Sequence, residues 1–451
     1  FMSIPKEPQF HPKTYSQQNH YYKSRIIIGT KSLPFNPNSP LTLFIDINSC
    51  FATVEQQYNP SLRGNPVAIA AYTGPTGTIV ASSIEAKKLG IKTGMRVAEA
   101  QKIYPKIVVL KPDPPKYRTV HKKLKNLLYE FSPKVTPHSI DEFSLDIEKT
   151  PAQQKGAIAT ALKIKSQIKE RIGEWITVSI GIAPNIFLAK TASNLEKPNG
   201  LQTIDSNNFL QVFSKLTLTE LCGIKAGNAS RLATQGVFTV LDFYHADIPK
   251  LCKAFGSIEG YYWHLKLHGW DVEKIGGGES FFNGFAKEKI KKSFGNSYAI
   301  PGNIAKKEDL APILYKLVEK TATRLRQDGY KAKSFSVSIL YKDGTYWKGH
   351  KNLEKYTNIS GETYKIMFRL LLKAPEQKPV RILAESCFRV VKTNKQQLGL
   401  FDGVKNEKEE ILAKVMDSVN KKFGDFTLKP AELLKAKSAA PDRIGFDIIK
   451  I

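Results

Sequence analysis

Acidic residues are in short supply: 41 Asp and Glu stand against 68 Lys and Arg, a formal charge of +27. Such an excess repels itself unless a polyanion shares the surface, so nucleic acid is the first partner to consider and an anionic membrane the second. Long apolar runs are also missing. None approaches the roughly 20 residues that span a bilayer, and no basic amphipathic stretch stands out, so a membrane partner is not expected. Cysteine is scarce: Cys50, Cys222, Cys252 and Cys387 are scattered with no CxxC pair, which excludes a zinc ribbon and a disulfide framework. The opening segment has no signal-peptide apolar core, and Phe1 ahead of Met2 reads as a residue left by cloning. These absences fit a reducing cytoplasm.

What is present is enough apolar material, 41% of 451 residues, for more than one packed core. Residues 1–40 carry many breakers and read as an extended arm. Strand-like runs at 41–47 and 67–71, with an amphipathic helix over 152–172, predict an α/β domain. From about 205 to 271, short helical patterns joined by glycine turns predict a small helical domain. After Gly276-Gly277-Gly278, a helix over 310–327 among strands at 334–341 and 381–391 predicts a second α+β domain. A charged stretch, a helix over 407–423 and a coil tail follow. The fold class is multidomain α+β.

Two segments place carboxylates among apolar residues: Leu43-Phe44-Ile45-Asp46-Ile47, and Ser139-Ile140-Asp141-Glu142-Phe143-Ser144-Leu145. Neighbours in a strand point to opposite faces, so Asp141 and Glu142 can serve one site only where the backbone curls, as at a hairpin. Clustered carboxylates raise one another's pKa unless cations neutralise them, and Mg²⁺ prefers hard oxygen ligands. Two such ions about 4 Å apart support in-line phosphoryl displacement. In isolation, Asp46 would read as a strand-end ion pair and Asp141-Glu142 as a solvated turn.

The wider context changes that balance. Phe44-Ile45-Asp46-Ile47-Asn48-Ser49-Cys50-Phe51-Ala52-Thr53-Val54-Glu55 and Ser139-Ile140-Asp141-Glu142 resemble the two signature segments of Y-family DNA polymerases, the bacterial DinB/UmuC-like translesion enzymes. Asn59-Pro60-Ser61-Leu62-Arg63-Gly64, Ser179-Ile180-Gly181-Ile182-Ala183 and Lys197-Pro198-Asn199-Gly200 are further matches, and the similarity runs from residue 41 onward. The resemblance implies a right-hand polymerase with a ferredoxin-like palm (41–46 and 113–204), small fingers (47–112) and a helical thumb with a helix-hairpin-helix (205–275). A little finger (279–392) and a C-terminal tail (393–451) with a clamp-binding motif complete it.

By position, the resemblance makes Asp46, Asp141, Glu142 and the Ile47 carbonyl ligands of two Mg²⁺ ions, with Mn²⁺ as a substitute. Phe51 falls at the aromatic gate under the incoming sugar. Lys87, Lys190 and Lys197 fall at the triphosphate. Ala81, Ile84 and Lys87 stand where many relatives offer a hydroxyl, Tyr and Arg, as in the branch that includes the catalytic subunit of polymerase V; a lysine lacks the bidentate fork of an arginine. Gly223, Ile224, Lys225 and Gly227 match a DNA-phosphate-binding turn. The lysines at 287, 289, 291, 292, 331 and 333 match a backbone grip: Lys287, Lys289, Lys291, Lys292, Lys331 and Lys333. Gln397-Leu398-Gly399-Leu400-Phe401 resembles the pentapeptide that docks on the bacterial sliding clamp, and Val419-Asn420-Lys421-Lys422-Phe423-Gly424 resembles the tails of these proteins.

The implied activity is template-directed, low-fidelity synthesis across damaged DNA, using primer-template DNA and dNTPs, with the clamp and SOS-type activators as partners. Two other readings stand beside it. One is a non-catalytic clamp-docking accessory that uses the same fold; the other is a nucleotide cyclase with a similar palm, which would need neither thumb nor basic grip.

Overall fold

The computed structural model describes residues 33–271, 291–375, 378–393, 407–436 and 439–440. The described residues fall into two compact units, one within 33–271 and the other within 291–440. Gly276-Gly277-Gly278 and Gln397-Leu398-Gly399-Leu400-Phe401 lie outside the described residues, as do Lys287 and Lys289.

The first unit is organised by the strand β1 (Thr42–Ile47), followed by α1 (Cys50–Tyr58), β2 (Val67–Ala70), β3 (Ile79–Ser82), α2 (Ile84–Lys88), α3 (Val97–Ile103) and β4 (Val108–Leu110). Next come α4 (Pro114–Tyr129), β5 (Lys134–Pro137), β6 (Glu142–Asp146), α5 (Pro151–Lys155), α6 (Ala157–Arg171), β7 (Val178–Ala183), α7 (Ile186–Leu195) and β8 (Leu201–Thr203). Five strands form one sheet in the order β5-β6-β1-β7-β8, with β1 antiparallel to both neighbours. A separate three-stranded sheet, β3-β2-β4, sits on the excursion between α1 and α4.

Strand periodicity divides β1 between two cores. Leu43, Ile45 and Ile47 join Tyr117, Leu124 and Leu128 of α4 and Ile164 and Ile168 of α6 in one core. Phe44, on the opposite face, packs with Phe187 and Leu188 of α7 in another. The same alternation puts Phe143 and Leu145 of β6 in the first core and leaves Glu142 on the Phe44 side. The helix expected over 152–172 is broken in two, because Gly156 adopts a φ of 87° that ends one turn of helix and restarts the next.

Helices α8 (Phe209–Lys215), α9 (Ala226–Ala233), α10 (Val240–His245), α11 (Ile248–Phe255) and α12 (Glu259–Leu267) follow, continuing the core that contains Phe44. The arm's last residues are anchored on them. Phe35 stacks on Phe209 with ring centroids 4.1 Å apart. The Asn36 backbone N–H donates to the His268 carbonyl at 2.8 Å, and its side chain donates to Gly269 O at 3.0 Å. The breakers Pro34 and Pro37 thus exclude regular structure without excluding tertiary docking.

The second unit contains β9 (Ser293–Ala299), α13 (Lys307–Gln327), β10 (Tyr330–Tyr341), β11 (Tyr346–Thr357), α14 (Ser360–Leu372), β12 (Val380–Lys392) and α15 (Glu407–Phe423). Its antiparallel sheet runs β11-β10-β12-β9. Half-buried Arg326 holds α15 to α13: Nε and Nη2 donate to the two Asp417 oxygens at 2.7 and 2.8 Å, and Nη1 donates to Asn358 O. The stretch read as a coil tail packs as well, through a short 3₁₀ turn (Ala431–Ala436) whose Leu433 and Ala436 are buried.

One core residue of this unit is an acid. Glu385 of β12 accepts from Thr321 Oγ1 at 2.5 Å and from the Asn296 N–H at 3.0 Å. Burial pushes its carboxyl up to about 8, against the opposing pull of Thr321 and Arg324. The folded state keeps this proton where the unfolded chain, titrating near 4.5, has lost it. Its contribution to stability is therefore complete below pH 4.5 and lost as pH rises through about 8. Calorimetric melting of wild type and Glu385→Gln across that range is expected to show the variant gaining on wild type as pH rises; parallel profiles would contradict this assignment.

Candidate active site

Asp46 sits one residue from the end of β1 and directly opposite Glu142 in the β1–β6 register. It shares the Phe44 face, over which α7 lies, and the approach of that helix is set by Gly181. A Cβ at Gly181 would meet the Ala189 carbonyl oxygen at 2.0 Å and the Ser193 nitrogen at 2.3 Å, so only glycine lets α7 lie this close to β7. The close approach brings Lys190 over the Phe44 ring, 4.9 Å from its centroid. Its ammonium donates to Asp46 Oδ2 at 2.5 Å and to Glu142 Oε1 at 2.6 Å. Lys197, just beyond the helix, donates to the same Asp46 oxygen at 2.8 Å.

Burial alone would push the Asp46 carboxyl up; Lys190 and Lys197 outweigh it and hold the group below the usual carboxylate range. Burial would likewise pull the Lys190 ammonium down, but Asp46 and Glu142 push it well above its ordinary value. Asp141 lies in the β5–β6 hairpin turn, where its carbonyl accepts from the Ile47 N–H at 3.0 Å. Burial raises its carboxyl to about 6; Ser139 Oγ, donating at 2.5 Å, opposes the rise, while Asp46 and Glu142 add to it. The Ile47 side chain is buried in the first core, leaving only its backbone for the site.

Among the described residues, no three His, Cys, Asp or Glu side chains converge tightly enough as they stand to hold a metal ion. The donor set nonetheless fits a hard divalent cation. Three carboxylates are adjacent, hard oxygen donors of the kind such a cation prefers, and Asp141 alone of the three has no lysine ion pair.

Phe51, in the first turn of α1, stacks on Tyr117 with ring centroids 4.4 Å apart and planes 7° from parallel. Tyr117 is nearly inaccessible, and its hydroxyl donates to Glu55 Oε1 at 3.0 Å. Lys116 donates to the other Glu55 oxygen at 2.9 Å. The ring that fixes Phe51 was not singled out from the sequence, because an aromatic on the apolar face of a helix looks like ordinary core. Lys87 reaches solvent; burial of its stem and the nearby Lys197 depress its pKa, opposed by Asp46 and Asp141. Ala81 lies in β3 and Ile84 begins α2, both half-buried.

The family model described as impB/mucB/samB matches residues 45–194, and its C-terminal domain model matches 291–400. The chain is 31% identical over 388 residues to DNA polymerase IV of Moorella thermoacetica, covering 85% of this chain and 93% of that protein. It is 30% identical over 411 residues to DNA polymerase IV of Bacillus velezensis, covering 89% and 95%. Among solved structures, a Y-family DNA polymerase chimera of Dbh and Dpo4 is similar with a TM-score of 0.65 and 26% identity, over 78% of this chain and 99% of that one. The chain belongs to the Y family of DNA polymerases. An insertion ternary complex of Dbh DNA polymerase is also similar, with a TM-score of 0.51 at the same identity and coverage.

The residues expected at DNA divide between the two units. Gly223 has a φ of 90° in the turn before α9, a conformation that favours glycine. Ile224 is buried, Lys225 is the N-cap and Gly227 lies in the first turn of α9, with open space where a side chain would project. In the second unit, Lys291 is paired with Asp328 at 2.6 Å and Lys331 with Glu410 at 2.8 Å. Lys333 lies over the Tyr356 ring and Lys292 is exposed. Two of these four lysines therefore already have carboxylate partners, which a phosphate would have to displace.

The Asp46 pairings differ in burial, with Lys190 10% exposed and Lys197 37%. Lys190→Met leaves buried Asp46 with only the half-exposed Lys197 and Glu142 with no lysine, and is expected to cost about 3 kcal/mol. Lys197→Met is expected to cost about 1 kcal/mol or less. Urea unfolding near neutral pH checks the ordering; equal losses would contradict it.

Proposed function

We propose that this protein is a translesion DNA polymerase, adding dNTPs to a primer 3′-hydroxyl across damaged templates. The observation that carries the reading is the set of three adjacent carboxylates, Asp46, Asp141 and Glu142, facing two lysines from one helix and the loop after it. These carboxylates and the Ile47 carbonyl would hold two Mg²⁺ ions, or Mn²⁺ in their place. Bound there, the ions supply the charge that lowers the pKa of the attacking hydroxyl and stabilises the leaving diphosphate.

The chain's own residues do the rest. Lys190 and Lys197 exchange Asp46 for triphosphate oxygens as charge-assisted donors. Lys87 adds positive charge without an arginine's fork, so phosphate geometry is less tightly prescribed. Phe51, backed by Tyr117, presents a flat face to the sugar and rejects a 2′-hydroxyl. Support for the domain reading comes from the five-stranded sheet as palm (41–46, 113–204), the three-stranded excursion as fingers (47–112) and the α8–α12 bundle as thumb (205–275). Residues 279–392 are read as the little finger, and 393–451 as a tail that docks on the sliding clamp through Gln397, Leu398, Leu400 and Phe401.

Gly223, Ile224, Lys225 and Gly227 are assigned to primer-template phosphates, as are Lys291, Lys292, Lys331 and Lys333. Such contacts predict binding that weakens steeply with salt. The likeness of Ala81, Ile84 and Lys87 to the polymerase V branch assigns SOS-type activators as partners. All four cysteines are free, which supports a cytoplasmic setting, and no described helix is long and apolar enough to cross a membrane. The intact carboxylate set disfavours the non-catalytic accessory reading.

Primer extension with Mg²⁺ and dNTPs, on intact and abasic templates, tests the activity. Wild type is expected to extend past the abasic site and the Asp141→Ala, Glu142→Ala variant to lose extension by at least about a thousandfold. Equal inactivity of both, with DNA binding kept and clamp added, would overturn the reading. Phe51→Ala is expected to admit ribonucleotides with little loss of dNTP insertion, checked by competing rNTP against dNTP; unchanged sugar discrimination would remove Phe51 from the gate.

A further inference from the structure

Two buried side chains at the end of the central strands, Asn48 and Ser179, bracket the loop that carries Lys197. Asn48 lies two residues beyond Asp46 and is 4% exposed; Ser179 of β7 is fully buried. The Asn48 amide is satisfied on both sides. Its Oδ1 accepts from the Asn199 backbone N–H at 2.8 Å and from Thr177 Oγ1 at 3.1 Å, and its Nδ2 donates to Ser179 Oγ at 3.0 Å. Ser179 Oγ in turn accepts from the Gly200 N–H at 3.2 Å and donates to the Glu196 carbonyl at 3.2 Å. The Asn199 N–H can only donate, so the amide oxygen must face the loop and its nitrogen must face the serine.

We propose that Asn48, acting with Ser179, is a positioning residue for Lys197 and thereby sets how tightly the incoming triphosphate is held. The inference rests on the reading of Lys197 as a triphosphate contact. Glu196 precedes Lys197 and Asn199 and Gly200 follow it, so the chain is tied on both sides of the lysine. The tie leads back to the residue two places after Asp46, the carboxylate that Lys197 bonds. The ammonium is therefore held by a short circuit: Asp46, Asn48, the 196–200 loop, and Lys197 back to Asp46. An amide suits this position because the circuit needs one acceptor for the loop and one donor for the serine. An aspartate at 48 keeps the acceptor but draws the Ser179 hydroxyl toward itself and away from Glu196, and it places a second negative charge near Lys197.

The effect should appear in nucleotide binding, not in the chemical step or in DNA affinity. Steady-state insertion of a single dNTP on primer-template compares wild type, Asn48→Ala, Lys197→Ala and the double variant. Asn48→Ala is expected to raise the dNTP KM about tenfold with kcat and DNA Kd within about twofold, and to add less than about twofold when Lys197 is already Ala. Ser179→Ala should shift KM in the same direction, which keeps the proposal testable if Asn48→Ala fails to fold. Asn48→Asp should restore part of the loss through its retained acceptor.

An unchanged KM in folded Asn48→Ala, beside a raised KM in Lys197→Ala, would overturn the proposal and leave the triphosphate reading standing. So would a KM effect of Asn48→Ala that persists in full without the lysine, since that is the mark of a general structural role. An unchanged KM in Lys197→Ala would remove the triphosphate reading, and the proposal with it.

Discussion

The arrangement of the site depends on one buried oxygen. Asp46 Oδ2 accepts from two ammonium groups, Lys190 at 2.5 Å and Lys197 at 2.8 Å, at a side chain only 9% exposed. A lone carboxylate in that position would be costly, and one lysine also serves Glu142, so Asp46, Glu142 and the two lysines form a single balanced cluster beside Asp141. Each surrounding feature serves to bring those charges together. Alternation along β1 and β6 puts Asp46 and Glu142 on one face, Gly181 lets α7 approach that face, and the Asn48–Ser179 pair holds the loop after α7.

On the proposed function, a carboxylate pair held by lysines is an arrangement suited to exchange. Lysine is a flexible point charge, and an incoming triphosphate offers it oxygens equivalent to those it leaves. The carboxylates so released would be left in need of cations. Nucleotide and metal binding would then be coupled through the same two side chains, without movement of the sheet that carries the acids.

Much of this was legible in the sequence, and the limits are physical. Strands β1 and β6 could be read because apolar alternation brackets the acids, and the need for a curl at Asp141 matches its place in the β5–β6 hairpin. Local patterns could not show long-range partners. Tyr117 under Phe51, Asn36 on Gly269 and Glu410 on Lys331 are 66, 233 and 79 residues apart in pairings that no periodicity encodes. Phe35, between two breakers, reads as part of an extended arm yet is buried against Phe209. Glu385 carried no local signal either, since an acid alternating along a strand normally points to water, and only the packing of α13 against β12 encloses it.

The central claim is that the lysines on Asp46 are place-holders for the charges of the reaction. A crystal structure of the protein with primer-template DNA, a non-hydrolysable dNTP and Mg²⁺ tests it most directly. The account predicts Lys190 and Lys197 on triphosphate oxygens, with Asp46, Asp141 and Glu142 bound to metal. Lysines still seated on Asp46, with the nucleotide held elsewhere, would contradict it.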